Sequence, residues 1–210
     1  MELAFGIHWV QTSFGWTRLY PMSTKGQSHE ALSLLFKRDG VPPTMISDGS
    51  KKQAVKKEFR NKLRDACCHY KQLGPYSPQS NTAEIKIHEL KRGSSRKMIR
   101  KQSPTKLWDH CLELELLILS HTAHDHFPLN GKFHKTLMKK TGSDISNISE
   151  YEWYEWVKYF DTACTYPGDK WVLGHYLGPA PDVGSMMTSK ILRHTGDHIP
   201  RSNLLPLKDW

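Results

Sequence analysis

Residues 40–53, GVPPTMISDGSKKQ, and residues 73–93, LGPYSPQSNTAEIKIHELKRG, carry the two acids on which the reading of this chain turns. Asp48 and Glu84 stand with 35 residues between them. Pro42 and Pro43 force extended backbone into Thr44–Ser47, a short apolar run that predicts a buried strand. Asp48 follows that run, where a carboxylate would emerge at the mouth of a sheet. The loop after Gly74 is rich in Pro, Ser and Asn, and its Ser80 or Asn81 can cap a following helix. The spacing predicts that helix over about residues 80–100, with Glu84 in its first turns. A strand end and a helix start can aim two oxygen ligands at one divalent cation. Hard cations such as Mg²⁺ take that ligand type, and substrate phosphates can complete the shell. Taken singly, the acids are ordinary: Asp-Gly is a common turn pair, and a Glu near the positive end of a helix is a common surface charge.

The same helix is basic. His88 lies one turn after Glu84 and Lys91 two turns after it, so both share its face. Lys86, Arg92, Arg96, Lys97 and Arg100 add further positive charge. Across 210 residues the formal net charge is +9, which favours a polyanionic partner, either nucleic acid or an acidic membrane surface. No apolar run reaches the roughly 18–20 residues needed to span a bilayer. The longest, Leu112–Leu119, is interrupted by Glu113 and Glu115. Met1-Glu2 opens without the basic segment of a secretory signal. Cys67 and Cys68 are adjacent and Cys111 and Cys164 isolated, a pattern of reduced thiols rather than of a disulfide framework. The expectation is a soluble intracellular protein.

Residues 3–20 read as a hairpin turning at TSFG (12–15), and residues 28–38 as a helix closed by Gly40. A helix over about 51–64 presents Val55, Phe59 and Leu63 on one face, CCHYKQL (67–73) reads as a strand, and Pro104 separates the basic helix from one over about 105–124. Alternation of this kind points to an α/β layer fold. From about residue 150 the chain turns aromatic and Gly/Pro-punctuated, predicting a compact β-rich module, a small open barrel. Its last 22 residues before 208 read as two strands joined at Thr195-Gly196-Asp197. Trp153, Tyr154, Trp156, Tyr159 and Trp171 are expected to fill that barrel rather than stack on bases. His121 and His124 stand three apart on the helix over 105–124 and invite a zinc reading. Tetrahedral zinc needs three or four convergent ligands, and no partner motif has the spacing, so capping and surface polarity are expected instead.

The ordered series of motifs resembles the second and third acidic motifs of retroviral and retrotransposon integrases, most closely those of Copia-type elements. Matching features are the acid after the strand, the 35-residue gap, the Pro-Tyr-Ser-Pro-Gln loop and the Asn-x-Ala-Glu start of a basic helix. The similarity continues through SPTKLWDHC (103–111), LGHYLGPAPDVGS (173–185) and GDHIPRSNLLPL (196–207). The resemblance implies a ribonuclease H-like three-layer core over 1–145, followed by the small β-rich module over 146–210. It implies Asp48 and Glu84 as catalytic metal ligands for Mg²⁺ (or Mn²⁺). It places Gln79, Ser80, His88, Lys91, Arg92, Arg96 and Lys97 against DNA, both element ends and target. The family uses three carboxylates, and counting back from Asp48 puts the first before Met1. None of Glu2, Glu30 or Asp39 fits that position. The expectation is therefore an integrase core lacking its first strand, inactive in strand transfer, with an exposed sheet edge that favours a homo-oligomer. A non-catalytic nucleic-acid-binding remnant is the alternative. A nuclease using Glu2 or Asp65 as a replacement ligand is a third reading. A nuclear location follows from the family.

Overall fold

A computed structural model describes residues 6–11, 17–22, 24–47, 57–72, 82–124, 131–133 and 145–207. By its internal contacts the chain divides into two compact units, Met1–His88 and Glu89–Trp210.

The first unit begins with β1 (Gly6–Gln11) and β2 (Thr17–Met22), antiparallel from Gly6 opposite Met22 to Gln11 opposite Thr17. The expected hairpin is present, and its turn lies outside the described residues. Helix α1 (Ser28–Asp39) buries Ala31, Leu32 and Leu35, one stripe at helical spacing. Gly40 ends it at φ 88°, a left-handed value that only glycine takes without strain, and its N–H donates to Phe36 O at 3.2 Å. Arg18 clamps both carboxylate oxygens of Asp39 at 2.8 Å, tying β2 to the end of α1.

Strand β3 (Thr44–Ser47) pairs in parallel with β4 (His69–Gln72), and α2 (Lys57–Asp65) lies between them in sequence. Parallel neighbours need such a crossover. Phe59 and Leu63 of α2 join Tyr20, Met22, Leu32, Leu35, Met45 and Cys68 in one core. The expected short strand is present and half-covered: Met45 is buried and Ile46 is 56% exposed. A period-2 strand shows alternate residues to opposite faces, and only one face of β3 meets the helices. The described strands of this unit form two separate two-stranded ladders rather than one sheet.

The long helix α3 (Thr82–Arg100) runs across the division between the units. A 3-10 turn, Thr105–Leu107, leads into α4 (Trp108–His121). The helix expected to reach residue 124 thus ends three residues earlier. Thr122 turns to extended backbone, and His124 belongs to the short strand β5 (Ala123–His124), paired with β6 (Lys132–Phe133). His121 and His124 therefore do not share a helix face. A short helix, α5 (Ser146–Ser149), precedes the β-rich part.

Five strands follow: β7 (Trp156–Phe160), β8 (Trp171–Pro179), β9 (Ser189–Leu192), β10 (His198–Arg201) and β11 (Leu204–Pro206). They form one antiparallel sheet in the order β10-β9-β8-β7-β11. The expected turn at Thr195-Gly196-Asp197 joins β9 to β10, with Gly196 at φ 91°. Sequence reading missed β11, which pairs with β7 instead of β10. That pairing fixes the shape. Strands at the two ends of a flat five-strand sheet would stand about 19 Å apart at about 4.8 Å per step. Only Ser202 and Asn203 separate β10 from β11, and three Cα–Cα steps reach about 11 Å at most. The sheet must curl into the small open barrel that the composition suggested.

Gly174 makes the curl sterically feasible. A Cβ there would stand 2.6 Å from Ile191 Cγ2 and 2.8 Å from Leu192 O. Val157, Tyr159, Tyr176, Leu177 and Ile191 fill the interior, with Cys111 and Leu114 of α4 packed against them.

Candidate nucleic-acid interface

Helix α3 is two-sided. Stepping about 100° per residue, Glu84, His88, Lys91, Arg92 and Arg96 fall on one arc, and all five are exposed. On the opposite arc Leu90 and Ser94 are buried. Lys97 lies towards that buried side, where its ammonium pairs with Glu115 of α4. Glu115 is 8% exposed, and its carboxylate lies against the backbone of Gly93, where a Cβ would collide with Oε1. Gly93 is thus the place where α4 presses an acid onto α3, and Lys97 neutralises it. Cys111 Sγ reaches Ser94 O at 3.5 Å across the same contact. Burial pushes the Cys111 thiol up to about 12, so it stays protonated and inert.

Glu84 sits in the first turn of α3, at the positive end of the helix. Asp48, Gln79 and Ser80 lie outside the described residues. Among the described residues no group of three or more His, Cys, Asp or Glu side chains converges to hold a metal ion. His121 is buried, and its Nδ1 lies 2.7 Å from Leu117 O, a helix-end contact of the kind expected for it. Among the described residues no helix is long and apolar enough to cross a membrane.

The aromatics of the β-rich part divide. Trp153 and Tyr159 are core residues, 3% and 0% exposed, and Trp153 Nε1 donates to Ser103 Oγ at 3.0 Å. Two depart from the expected packing: Trp171, half-buried opposite Phe160 on the outward face, and Trp156, at 49% exposure. Trp156 lies against His175, ring centroids 3.7 Å apart, and His175 stacks on Tyr154 at 3.8 Å and 6°. The His175 Nδ1 contact with Tyr154 O, 3.1 Å, fixes that ring, and burial holds its pKa below the ordinary imidazole value. Tyr154 has φ 59°, an unusual value for a bulky residue. Sequence reading passed over His175. The available signal was the alternation in WVKYF: Val157 and Tyr159 inward put Trp156, Lys158 and Phe160 outward.

No protein-family model matches the sequence, and no curated protein matches it. Its structure is similar to solved ones. A chain of the simian T-cell lymphotropic virus intasome, determined in complex with the PP2A regulatory subunit B56 gamma, superposes with TM-score 0.54 at 13% identity, covering 96% of this chain and 76% of that one. The HTLV-2 integrase catalytic core domain in complex with magnesium, in its trimeric form, gives TM-score 0.48 at 11% identity, covering 64% and 93%. The chain therefore shares the fold of a retroviral intasome protein, a mixed helix-and-strand architecture.

Proposed function

We propose that the chain acts in DNA integration as part of a Copia-type retroelement integrase. The core spans residues 1–145 and the β-rich module 146–210. The observation that carries this reading is the exposed arc of α3, with Glu84 at its head and His88, Lys91, Arg92 and Arg96 behind it. A carboxylate at the start and cations along the same side suit a phosphodiester substrate: the acid serves the reacting phosphate, and the cations hold the backbone on either side of it. Asp48 and Glu84 would hold Mg²⁺ or Mn²⁺, an oxygen-only donor set suited to a hard cation, and the metal when bound would activate the attacking 3′-hydroxyl. Gln79 and Ser80 would touch DNA from the loop before α3. Lys97 serves helix packing first, through Glu115. In this reading the chain works as a homo-oligomer in the nucleus.

Duplex binding as a function of salt tests this. Affinity should fall steeply as salt rises. Lys91→Ala with Arg92→Ala should weaken binding alike for every sequence and lower the salt slope by about two. Binding indifferent to salt, or to both substitutions, would sink the reading. In a chain that carries an acidic strand upstream of these residues, Glu84→Gln should abolish Mg²⁺-dependent strand transfer while DNA binding survives.

A further inference from the structure

The positive charge of α3 does not end at Arg96. Arg100 follows one turn later, about 6 Å further along the axis, and Lys101 comes directly after it. Both are covered by one acid from the segment before β7. Glu152 takes Lys101 Nζ at 2.6 Å, and Arg100 Nη2 stands 3.3 Å from each of its carboxylate oxygens. The hydrogen bond and charge of Lys101, more than those of Arg100, hold the Glu152 carboxyl below the ordinary carboxylate range, so it is ionised at neutral pH. The acid is fixed from both sides. Its backbone N–H donates to Glu155 Oε2 at 2.7 Å, and the next residue, the buried Trp153, is bonded through Nε1 to Ser103 Oγ. Ser103 N–H in turn donates to Met98 O of α3. A carboxylate is thus clipped over the last turn of the basic helix.

Two acids therefore neutralise cations of α3, and they sit at different depths. Glu115 is 8% exposed, and parting it from Lys97 would leave a buried charge without a partner. The Glu152 and Arg100 side chains are 56% and 71% exposed, and ion pairs in such solvent contact contribute little. The Arg100 contact is also long, one nitrogen shared between two oxygens at 3.3 Å, where a full charge-assisted bond takes roughly 2.7–2.9 Å. A phosphodiester carries the same charge and also presents two oxygens. On this helix it would arrive already tethered by its neighbours on Lys91, Arg92 and Arg96, which favours it over the exposed acid.

We infer that Arg100 and Lys101 form a further phosphate site at the end of α3, which Glu152 occupies in the free chain and one backbone phosphate of DNA takes over on binding. This rests on the reading of α3 as the DNA-binding helix and lengthens its track by one turn. The two cations outweigh the roughly half negative charge of the helix C-terminus. Glu152 acts as a competitor built into the chain, lowering affinity without touching DNA.

The test is binding of a labelled duplex by the full chain at several salt concentrations, read by fluorescence anisotropy. Arg100→Ala with Lys101→Ala should weaken binding and lower the salt slope by about one, the share of one phosphate. Glu152→Gln keeps the shape and removes the competing charge. It should tighten binding roughly 2- to 30-fold, what two exposed ion pairs are worth, at an unchanged slope. Made together with Arg100→Ala and Lys101→Ala, it should add nothing. Affinity and slope indifferent to Arg100→Ala with Lys101→Ala overturn the inference. So does a Glu152→Gln variant that binds no more tightly, or one that tightens binding equally without the two cations, the mark of a general charge effect. A slope that steepens by about one in Glu152→Gln also overturns it, because the pair would then stay closed on DNA in the natural chain. Lys91→Ala with Arg92→Ala reports separately. Loss there with none at Arg100 and Lys101 removes only this site, whereas no loss there removes the reading of α3 itself.

Discussion

The two units hold their strands by different means. In the second unit the sheet curls until its end strands are joined by two residues, and an antiparallel ladder runs through β10-β9-β8-β7-β11 with one register shift between Tyr176 and Gly178. In the first unit the described strands are short ladders of two, and their common support is the helical layer: Leu32 and Leu35 of α1 and Phe59 and Leu63 of α2 share one core with Met45 and Tyr20. Two-stranded pieces are marginal alone and depend on what packs against them. Truncating a core side chain in each unit should separate the two cases. Phe59→Ala and Tyr176→Ala each remove a fully buried ring and should cost about 3–5 kcal/mol. Hydrogen exchange reads where the loss falls. Phe59→Ala should strip protection from α1, α2, β3 and β4 while β7–β9 keep theirs, and Tyr176→Ala should do the reverse. Protection lost everywhere in both variants would mean one cooperative unit and break the distinction.

The next effect concerns the α3–α4 contact within the second unit. Gly93→Ala must displace the Glu115 carboxylate and with it the Lys97 pair, at a cost of about 1–3 kcal/mol. The sharper measurement is the double variant. With Glu115→Ala already made, Gly93→Ala has nothing to strike and should stabilise the helix by about 0.5–1 kcal/mol, the propensity gain of Ala over Gly. A cost that persists in the Glu115→Ala background would show that something other than this carboxylate requires the glycine.

Sequence reading succeeded where local chemistry and tertiary context agree. The apolar stripe of α1 with its closing glycine, the Pro-Pro run into β3, and the Thr-Gly-Asp turn at residues 195–197 each specify their element within a few residues. It failed where a partner distant in sequence decides. Nothing in Leu204–Pro206 announces pairing with β7, because curling of the sheet brings the two together. Nothing in Lys97 distinguishes it from Lys91 until α4 supplies Glu115. The candidate site was legible as residue types at helical spacing, so the exposed arc of α3 could be written down from residue numbers alone. Trp156 and Trp171 were expected inside because small β modules fill their interiors with aromatics, but alternation with the inward Val157 and Tyr159 puts Trp156, and Trp171 opposite Phe160, on the outward face. The exposure of Ile46 was not legible, because a short apolar run looks alike whether one face or both are covered.

A smaller pair of effects lies at matching helix ends, one in each unit. After α2, Cys67 takes φ 53°, and Cys68 N–H donates to Leu63 O at 2.9 Å. After α3, Gln102 takes φ 49°, and Ser103 N–H donates to Met98 O at 3.1 Å. Both are left-handed closures of the kind glycine usually serves, here occupied by residues with a Cβ. Cys67→Gly and Gln102→Gly should each stabilise by about 0.5–1 kcal/mol, seen as a higher midpoint in urea at unchanged slope. A loss at either site would mean that the side chain contributes more than its backbone conformation costs.

The smallest effect is acid sensitivity, and it should belong to the second unit. Burial lowers the pKa of His110 on α4, which faces His198 of β10 at 5.0 Å amid Asp109, Glu113 and Lys190. Burial likewise lowers His175. An unfolded imidazole takes its proton near pH 6.5, whereas these two take theirs only at lower pH when folded. Between those values the unfolded chain binds more protons, so stability rises with pH through the window and is lost on acidification. Thermal melts from about pH 7.5 down to about 5.5 should therefore show the barrel's Tm falling, and His175→Phe should reduce the fall because the ring stays stacked without a titrating nitrogen. An undiminished fall in that variant would assign the sensitivity to His110 and the α4–β10 contact. A Tm that rises on acidification would mean that both rings gain rather than lose protons on folding, contrary to their burial.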